Sequence, residues 1–344
     1  MNIERVQEIA DAVLYEGYML YPYRPSSVKN QKRFNFGVLC PKAYCEMEPG
    51  SESSFMQSEC LLKVTPETRI AVKFRFLHLV QRSIRKYDSK GSAAFVDQLE
   101  ISGRIYQPWQ EAEERSFSCS ALDPALLSHT YSVPLLFPAG ASREALRDGQ
   151  GKVAGEIVRE WQSLAALLEV RAEKCRDNVV KVRLRIENHT GFDTDGAQQK
   201  PRETALRYSM ISAHAIAGVE NGVFLSLLEP PPEFEDLAHA CENTGTWPVL
   251  VGDDATTVLA SPIILYDYPQ IAPESAGNLF DATEIDEILS LRTLTLTDSE
   301  KAEIRRSDDR ARQVLERTEK MPHEQFMQLH GVLRGITALK EEEQ

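Results

Sequence analysis

Thiols and imidazoles are the side chains best suited to hold a transition metal or to serve as nucleophile and base. Cys40, Cys45, Cys60 and His78 are therefore the first chemical candidates in this sequence. The spacing Cys40-x4-Cys45 is not the C-x2-C knuckle of a zinc ribbon, and no second pair follows at metal-site spacing. These four residues form a site only if the fold brings them together. Otherwise they are buried or half-buried thiols, with His78 a hydrogen-bonded core or interface histidine on the apolar face of a strand. His239-x-Cys241 is weaker, because side chains two apart on a helix diverge. His189 and His214 lie at or within expected strands, and no Ser-His-Asp arrangement can be assigned to them from spacing. Glu284, Asp286 and Glu287 read as a helix N-terminal cluster that favours the macrodipole, not as a carboxylate pair for catalysis. G-x-G-x-x-G, G-x-x-x-x-G-K-[ST], G-x-S-x-G and H-E-x-x-H are all absent. The expectation is a protein without a resident cofactor, and a non-catalytic one.

A different constellation stands out near the N-terminus. Arg24, Lys29, Lys32, Arg33 and Lys42 alternate with Tyr18, Tyr21, Tyr23, Phe34, Phe36 and Tyr44 in a segment punctuated by proline. Tyrosine and arginine are favoured at protein–protein hot spots, because they bury much area and keep a polar handle. Tyr21, Tyr23, Arg24, Lys29, Asn30 and Arg33 are the candidate partner-binding residues. The competing reading is a loop whose aromatics plug the neighbouring domain while its charges face water. Tyr266-Asp267-Tyr268-Pro269 is a second aromatic stretch that its length alone does not separate from packing.

The whole chain carries 39 Lys and Arg against 52 Asp and Glu, a net charge of −13. Residues 1–86 hold 13 of the basic residues against 9 acidic ones, so the acidic excess lies in the remainder. Nucleic-acid binding by the whole protein is disfavoured, whereas a local basic patch meeting an acidic partner is allowed. No apolar run reaches the roughly 18 to 20 residues of a membrane span. The opening residues lack the basic and apolar regions of a secretory signal. Six widely spread cysteines are too few for a disulfide scaffold. A cytoplasmic location with reduced thiols is expected.

These side chains need elements to position them. Ile3, Val6, Ile9, Val13 and Leu14 recur at helical spacing and predict a helix over 3–16 that stops near Gly17. From Ser58 the period changes to two. Two strands are expected around a turn at Pro66–Glu67, with one face of the sheet covered. Strands are further expected in FVDQLEISGRIYQPW, RSFSCSAL, HTYSVPLLF and GEIVREWQSLAALLEVRAEKC, and most clearly in DNVVKVRLRIENHT. Glu220–Asn221–Gly222 between apolar runs predicts a hairpin. A short acidic helix near 233–242 and strands in WPVLVG and VLASPIILYDYP follow. Capping boxes at 281–284 and 297–300 open two helices, the second a polar one over 298–319. A third helix is expected from Pro322 to about Lys340. The expected class is α+β, mainly antiparallel and β-sandwich-like. Residues 1–57 are read as a helix and aromatic–basic segment, 58–270 as the β domain, and 271–344 as a helical region.

LYEGYMLYPYRPSSVKNQKRFNFG, followed by PKAY and MQSECL, resembles the opening of a family encoded beside [NiFe]-hydrogenase genes. The likeness continues through FRFLHL, GVENGVFLSLLEPP, NTGTWPVLVG, SPIILYDYPQIAPES and LFDATEIDEILSLRTLTLTDSEK. It thus spans most of the chain in order. The resemblance implies a hydrogenase accessory or maturation protein whose partner is a hydrogenase subunit or a maturation factor. It implies no catalytic residue set. Two alternatives remain open: a metal-handling protein or enzyme using Cys40, Cys45, Cys60 and His78, and a β-sandwich binder of small ligands or carbohydrates.

Overall fold

Alternating apolar and polar residues run from Phe55 to Tyr87 with one proline among them, and they form a single strand, β1 (Phe55–Tyr87). A computed structural model describes residues 3–24, 26–31, 33–47, 49–88, 91–194, 202–271, 277, 279–280 and 286–322. The turn expected at Pro66–Glu67 is not a turn between two strands. Residues 65–68 bulge out of the ladder, so the N–H that Pro66 lacks has no pairing position to fill. Opposite the bulge stands Asn221 of β11 (Met210–Leu225), in a left-handed conformation with φ +54°. Thr65 and Thr68 both donate side-chain hydrogen bonds to its carbonyl. The hairpin expected at Glu220–Asn221–Gly222 is therefore replaced by one continuous strand. The backbone freedom of Asn-Gly serves a bulge, and a Cβ on Gly222 would stand 2.9 Å from the Lys63 carbonyl.

β1 is the hub of an eleven-stranded antiparallel sheet. Residues 55–63 pair with β10 (Val179–Asn188), and residues 61–78 pair with β11 on the opposite edge. Further along, β5 (Trp109–Leu122) takes over the first edge at residues 70–82, followed by β2 (Ala93–Val96). β8 (Val153–Trp161) takes over the second edge from Gln81 and carries β7 (Gly140–Arg147) outside it. β9 (Leu164–Arg176) and β6 (Tyr131–Phe137) extend the sheet beyond β10, and β13 (Thr257–Ser261) and β12 (Trp247–Val251) extend it beyond β11. β3 (Leu99–Ile101) and β4 (Arg104–Tyr106) form a separate small hairpin. The strand-dominated α+β expectation holds, with a large antiparallel sheet that does not close into a barrel.

Met56, Cys60, Leu62, Ile70, Val72, Phe74 and Phe76 of β1 share one apolar cluster with side chains of β9, β10, β11, β12 and β13. Phe76 meets Phe137 at the end of β6 edge-on, with ring centroids 4.9 Å apart, so the far end of the sheet folds back over β1. The opposite face is not left to solvent as expected: every residue from Phe74 to Val80 is buried. That face is covered by α1 (Ile3–Leu14), the aromatic–basic segment, and the helices α6 (Asp286–Leu294), α7 (Asp298–Ser307) and α8 (Asp309–Glu319). The other α-helices among the described residues are short: α2 (Val28–Gln31), α3 (Lys42–Met47), α4 (Arg202–Leu206) and α5 (Glu235–His239). The single helix expected over 298–319 breaks at Asp308, which caps α8 with an extended backbone. Ile304, Val314 and Leu315, its scarce apolar residues, are all buried. The Thr297–Glu300 capping box is present. The box at 281–284 and the third helix after Pro322 lie outside the described residues. Among the described residues, no helix is long and apolar enough to cross a membrane.

Arg75 of β1 lies fully buried beneath α1. It pairs with Glu114 at 2.8 Å and closely with Asp11, both carboxylates remaining partly exposed. Removing a buried partner leaves a volume and a charge deficit together. Arg75→Ala deletes a fully buried side chain and is expected to lower stability by roughly 2–5 kcal/mol, whereas Asp11→Asn costs less because it keeps an acceptor oxygen and leaves Glu114 paired with Arg75. Urea denaturation at unchanged m-value reads both, and equal costs would refute the burial argument.

Candidate functional site

The aromatic–basic segment forms the seam between the sheet and the C-terminal helices. Gly17, at φ +69°, turns the chain off α1, and its N–H donates to the Phe280 carbonyl at 2.9 Å. Tyr18, Met19, Tyr23 and Phe34 then pack between Leu77, Leu79 and Trp109 on the sheet side and Leu289, Ile304, Val314 and Leu315 on the helix side. The tyrosines suit this place because each ring fills an apolar layer while its hydroxyl finds a polar partner. Tyr18 donates to Asp308 at 2.9 Å, and Tyr23 donates to the Leu279 carbonyl at 2.8 Å.

The six candidate partner-binding residues do not make one surface. Tyr23, Asn30 and Arg33 are buried, Tyr21 and Arg24 are half-buried, and Lys29 alone is exposed. Asn30 is a loop staple: its amide donates to the carbonyls of Leu20 and Arg24, and its oxygen accepts from the Leu20 N–H. Arg24 pairs with Glu300 at 3.1 Å, and the Tyr21 ring stands edge-on to Tyr23. Lys32 lies outside the described residues. Burial of Tyr23, Asn30 and Arg33 leaves these residues without a shared exposed surface, because the same amphipathic rings satisfy a neighbouring layer of the chain itself.

Arg33 leads to a second feature. Its guanidinium lies 3.7 Å above the Trp109 ring and 4.5 Å from that of Phe34, donates to the Tyr18 carbonyl at 3.0 Å, and closely contacts the Gln110 carbonyl. Burial lowers its pKa to about 10. In front of it, a cleft of about 270 Å³ opens between the second half of β1, β4, β5, β7 and β8 on one side and the α7–α8 corner on the other. Arg82, Arg104, Arg159, Arg305, Arg306 and Arg310 line it. Glu111 bridges Arg82 at 2.9 Å and Arg159 at 2.7 Å, and Arg159 also reaches Glu144 at 2.9 Å. Asp308 is committed to the N–H groups of Arg310 and Ala311 and to the Tyr18 hydroxyl. Burial and the Asp308 carboxylate push the Tyr18 hydroxyl far above its ordinary range, so it remains a donor. Chemically, this cleft presents six guanidinium groups, with the carboxylates of Glu111, Glu144, Asp308 and Asp309 among them.

The alternative metal set does not converge. Cys40 belongs to the seam with Cys45 beside it, Cys60 faces the inner core with Sγ 3.8 Å from the Val182 carbonyl, and His78 stands eighteen positions further along β1. Among the described residues, no group of three or more His, Cys, Asp or Glu is placed to hold a metal ion. Desolvation raises the thiols, Cys40 to about 12 and Cys241 to about 11, so they are protonated at neutral pH. His78 and His214 are core imidazoles, while His189 is exposed.

An exposed apolar strip follows β13. Ile263 and Leu265 turn inward against Val6, Ile9 and Val249, which leaves Ile264 72% and Tyr266 87% exposed. Tyr268, Ile271 and Trp247 at the start of β12 are exposed as well. The strip is pinned to the free edge of β12. The Tyr268 N–H donates to the Leu250 carbonyl at 2.7 Å, and the Leu250 N–H donates to Asp267 Oδ1 at 2.7 Å. The alternation in IILYDY marks this geometry in the sequence. The arginine cleft leaves no such mark, since its residues come from positions 18 to 310. No protein-family model matches this chain, and no curated protein matches it either.

The two core imidazoles make stability depend on pH. Burial lowers each from the ordinary 6.5 to about 4, aided by Arg115 for His78 and Arg75 for His214. Between those values the unfolded chain binds more protons than the folded one. Stability therefore falls as pH drops from about 6.5 towards about 4, by up to about 1.4 kcal/mol per pH unit for each ring. Urea midpoints across this range should fall less steeply for His214→Asn than for the wild type. An unchanged slope would rule out His214 as a contributor.

Proposed function

We propose that this protein is a non-catalytic binding protein that engages a protein partner through the strip formed by Trp247, Ile264, Tyr266, Tyr268 and Ile271. The observation that carries this reading is the combination of exposure and fixation along the strip. Its large side chains face solvent, while backbone and Asp267 hydrogen bonds hold the chain beneath them. Tyrosine and tryptophan are the side chains that most often dominate interface energetics. A backbone already ordered before contact lowers the entropic cost of association. By the sequence resemblance, the partner is a subunit of an [NiFe]-hydrogenase or one of its maturation factors, and the protein acts as an accessory in assembly.

Affinity purification from cells producing an [NiFe]-hydrogenase tests this. The wild type and a Lys29→Ala control are expected to recover a hydrogenase or maturation subunit. An Ile264→Ser/Tyr266→Ala variant is expected to lose at least about 30-fold in affinity, the scale of one hot spot of about 2 kcal/mol. Recovery of no such subunit by the wild type, or undiminished recovery by the strip variant, would overturn the reading.

A further inference from the structure

We propose that the arginine-lined cleft at the α7–α8 corner is a binding site for a small, multiply charged phosphate compound. This inference does not depend on the protein-partner reading, because the cleft and the strip share no residue.

The charge pattern is the first argument. Six arginines and four carboxylates line the cleft of a chain whose net charge is −13. The carboxylates are already committed: Glu111 and Glu144 to Arg82 and Arg159, Asp308 to the α8 cap and Tyr18, and Asp309 to Arg312 at 2.8 Å. Arg305 is held by Glu319 outside the lining, with contacts of 2.9 and 2.7 Å. Among the described residues, the guanidinium groups of Arg104, Arg306 and Arg310 make no ion pair with a carboxylate. Arg104 lies over the Tyr106 ring at 5.1 Å, and Arg310 lies over the Tyr15 ring at 4.1 Å with a hydrogen bond to its hydroxyl. Behind them, the buried Arg33 is held by carbonyls and rings, with the Asp308 and Glu111 carboxylates near enough to favour its charge. Concentrating guanidinium groups around a partly enclosed space is unfavourable unless an anion offsets them.

Geometry is the second argument. Glu111 locks Arg82 and Arg159 into one wall, and stacking on Tyr15 fixes Arg310 on the other. Arg82, Arg159 and Arg310 are therefore held in place before an anion arrives. The planar fork of arginine matches the paired oxygens of a phosphate group and forms short, charge-assisted hydrogen bonds to it. A volume of about 270 Å³ lies just below the usual small-molecule range, which suits a compact diphosphate or a small phosphorylated metabolite. Tyr106 and Ile157 give such a ligand a limited apolar wall.

Calorimetric titration of the full chain with inorganic pyrophosphate at low salt tests the site, with orthophosphate and citrate as comparison ligands. The expected result is saturable one-to-one binding of pyrophosphate, tighter than that of orthophosphate or citrate. Arg104→Gln/Arg306→Gln, two exposed positions outside the apolar cores, should weaken binding tenfold or more. Lys29→Gln/Lys42→Gln removes the same charge elsewhere and should change it less than twofold. Three results would each overturn the proposal: no saturable binding of pyrophosphate, tighter binding of citrate, or equal weakening in the two double variants.

Discussion

Every layer of this structure takes its position from the hydrogen-bonding edges of one strand. At about 3.3 Å per residue, the 33 residues of β1 would reach roughly 110 Å if straight, whereas a chain of this length folds to a radius of gyration of about 20 Å. The strand must therefore coil and bend. The bulge at 65–68, accommodated by Asn221 and Gly222, supplies one such break in regularity. Coiling also explains how a single ladder serves five partners. Each edge of β1 is used in succession by different strands, and β6 returns across the inner face until Phe137 meets Phe76.

A strand with both faces buried needs cover on each side, and the two covers differ in chemistry. The inner side is aliphatic and phenylalanine-rich, as expected where sheet packs on sheet. The outer side must join a sheet to polar helices that carry few apolar residues. Tyrosines solve this by filling space with the ring and engaging a carboxylate or carbonyl with the hydroxyl. Arg33 does the same with a cation, its plane stacked on Trp109 and its edges on carbonyls. The polar margin of this layer then opens as the arginine cleft, so the cleft's position follows from how the outer side is covered.

Much of this architecture was legible in the sequence. The alternation of Val180, Val182, Leu184 and Ile186 identifies β10, and Thr297 with Glu300 identifies the start of α7. Asn221–Gly222 was misleading for a physical reason: a left-handed residue is required equally by a tight hairpin and by a bulge, and only the pairing partner separates them. Pro66 was misleading in the same way, because a missing N–H is harmless wherever no ladder bond is due. The Tyr18–Arg33 composition fits a binding loop or an internal layer equally well, and the choice is made by Leu279, Phe280 and the α6–α8 side chains far along the chain. The cleft arginines had no legible pattern, since three strands and a helix corner bring them together from separate places.

The Tyr18–Asp308 hydrogen bond closes a loop of 290 residues, and its consequence concerns biosynthesis. Contacts this far apart in sequence form late and slow folding. At translation rates of about 5–20 residues per second, the tyrosine-rich layer emerges tens of seconds before the helices that cover it. During that interval a nascent chain displays Tyr18, Tyr23 and Phe34 without their helical lid. The final closure of the molecule thus waits at least until the α8 segment has been synthesised.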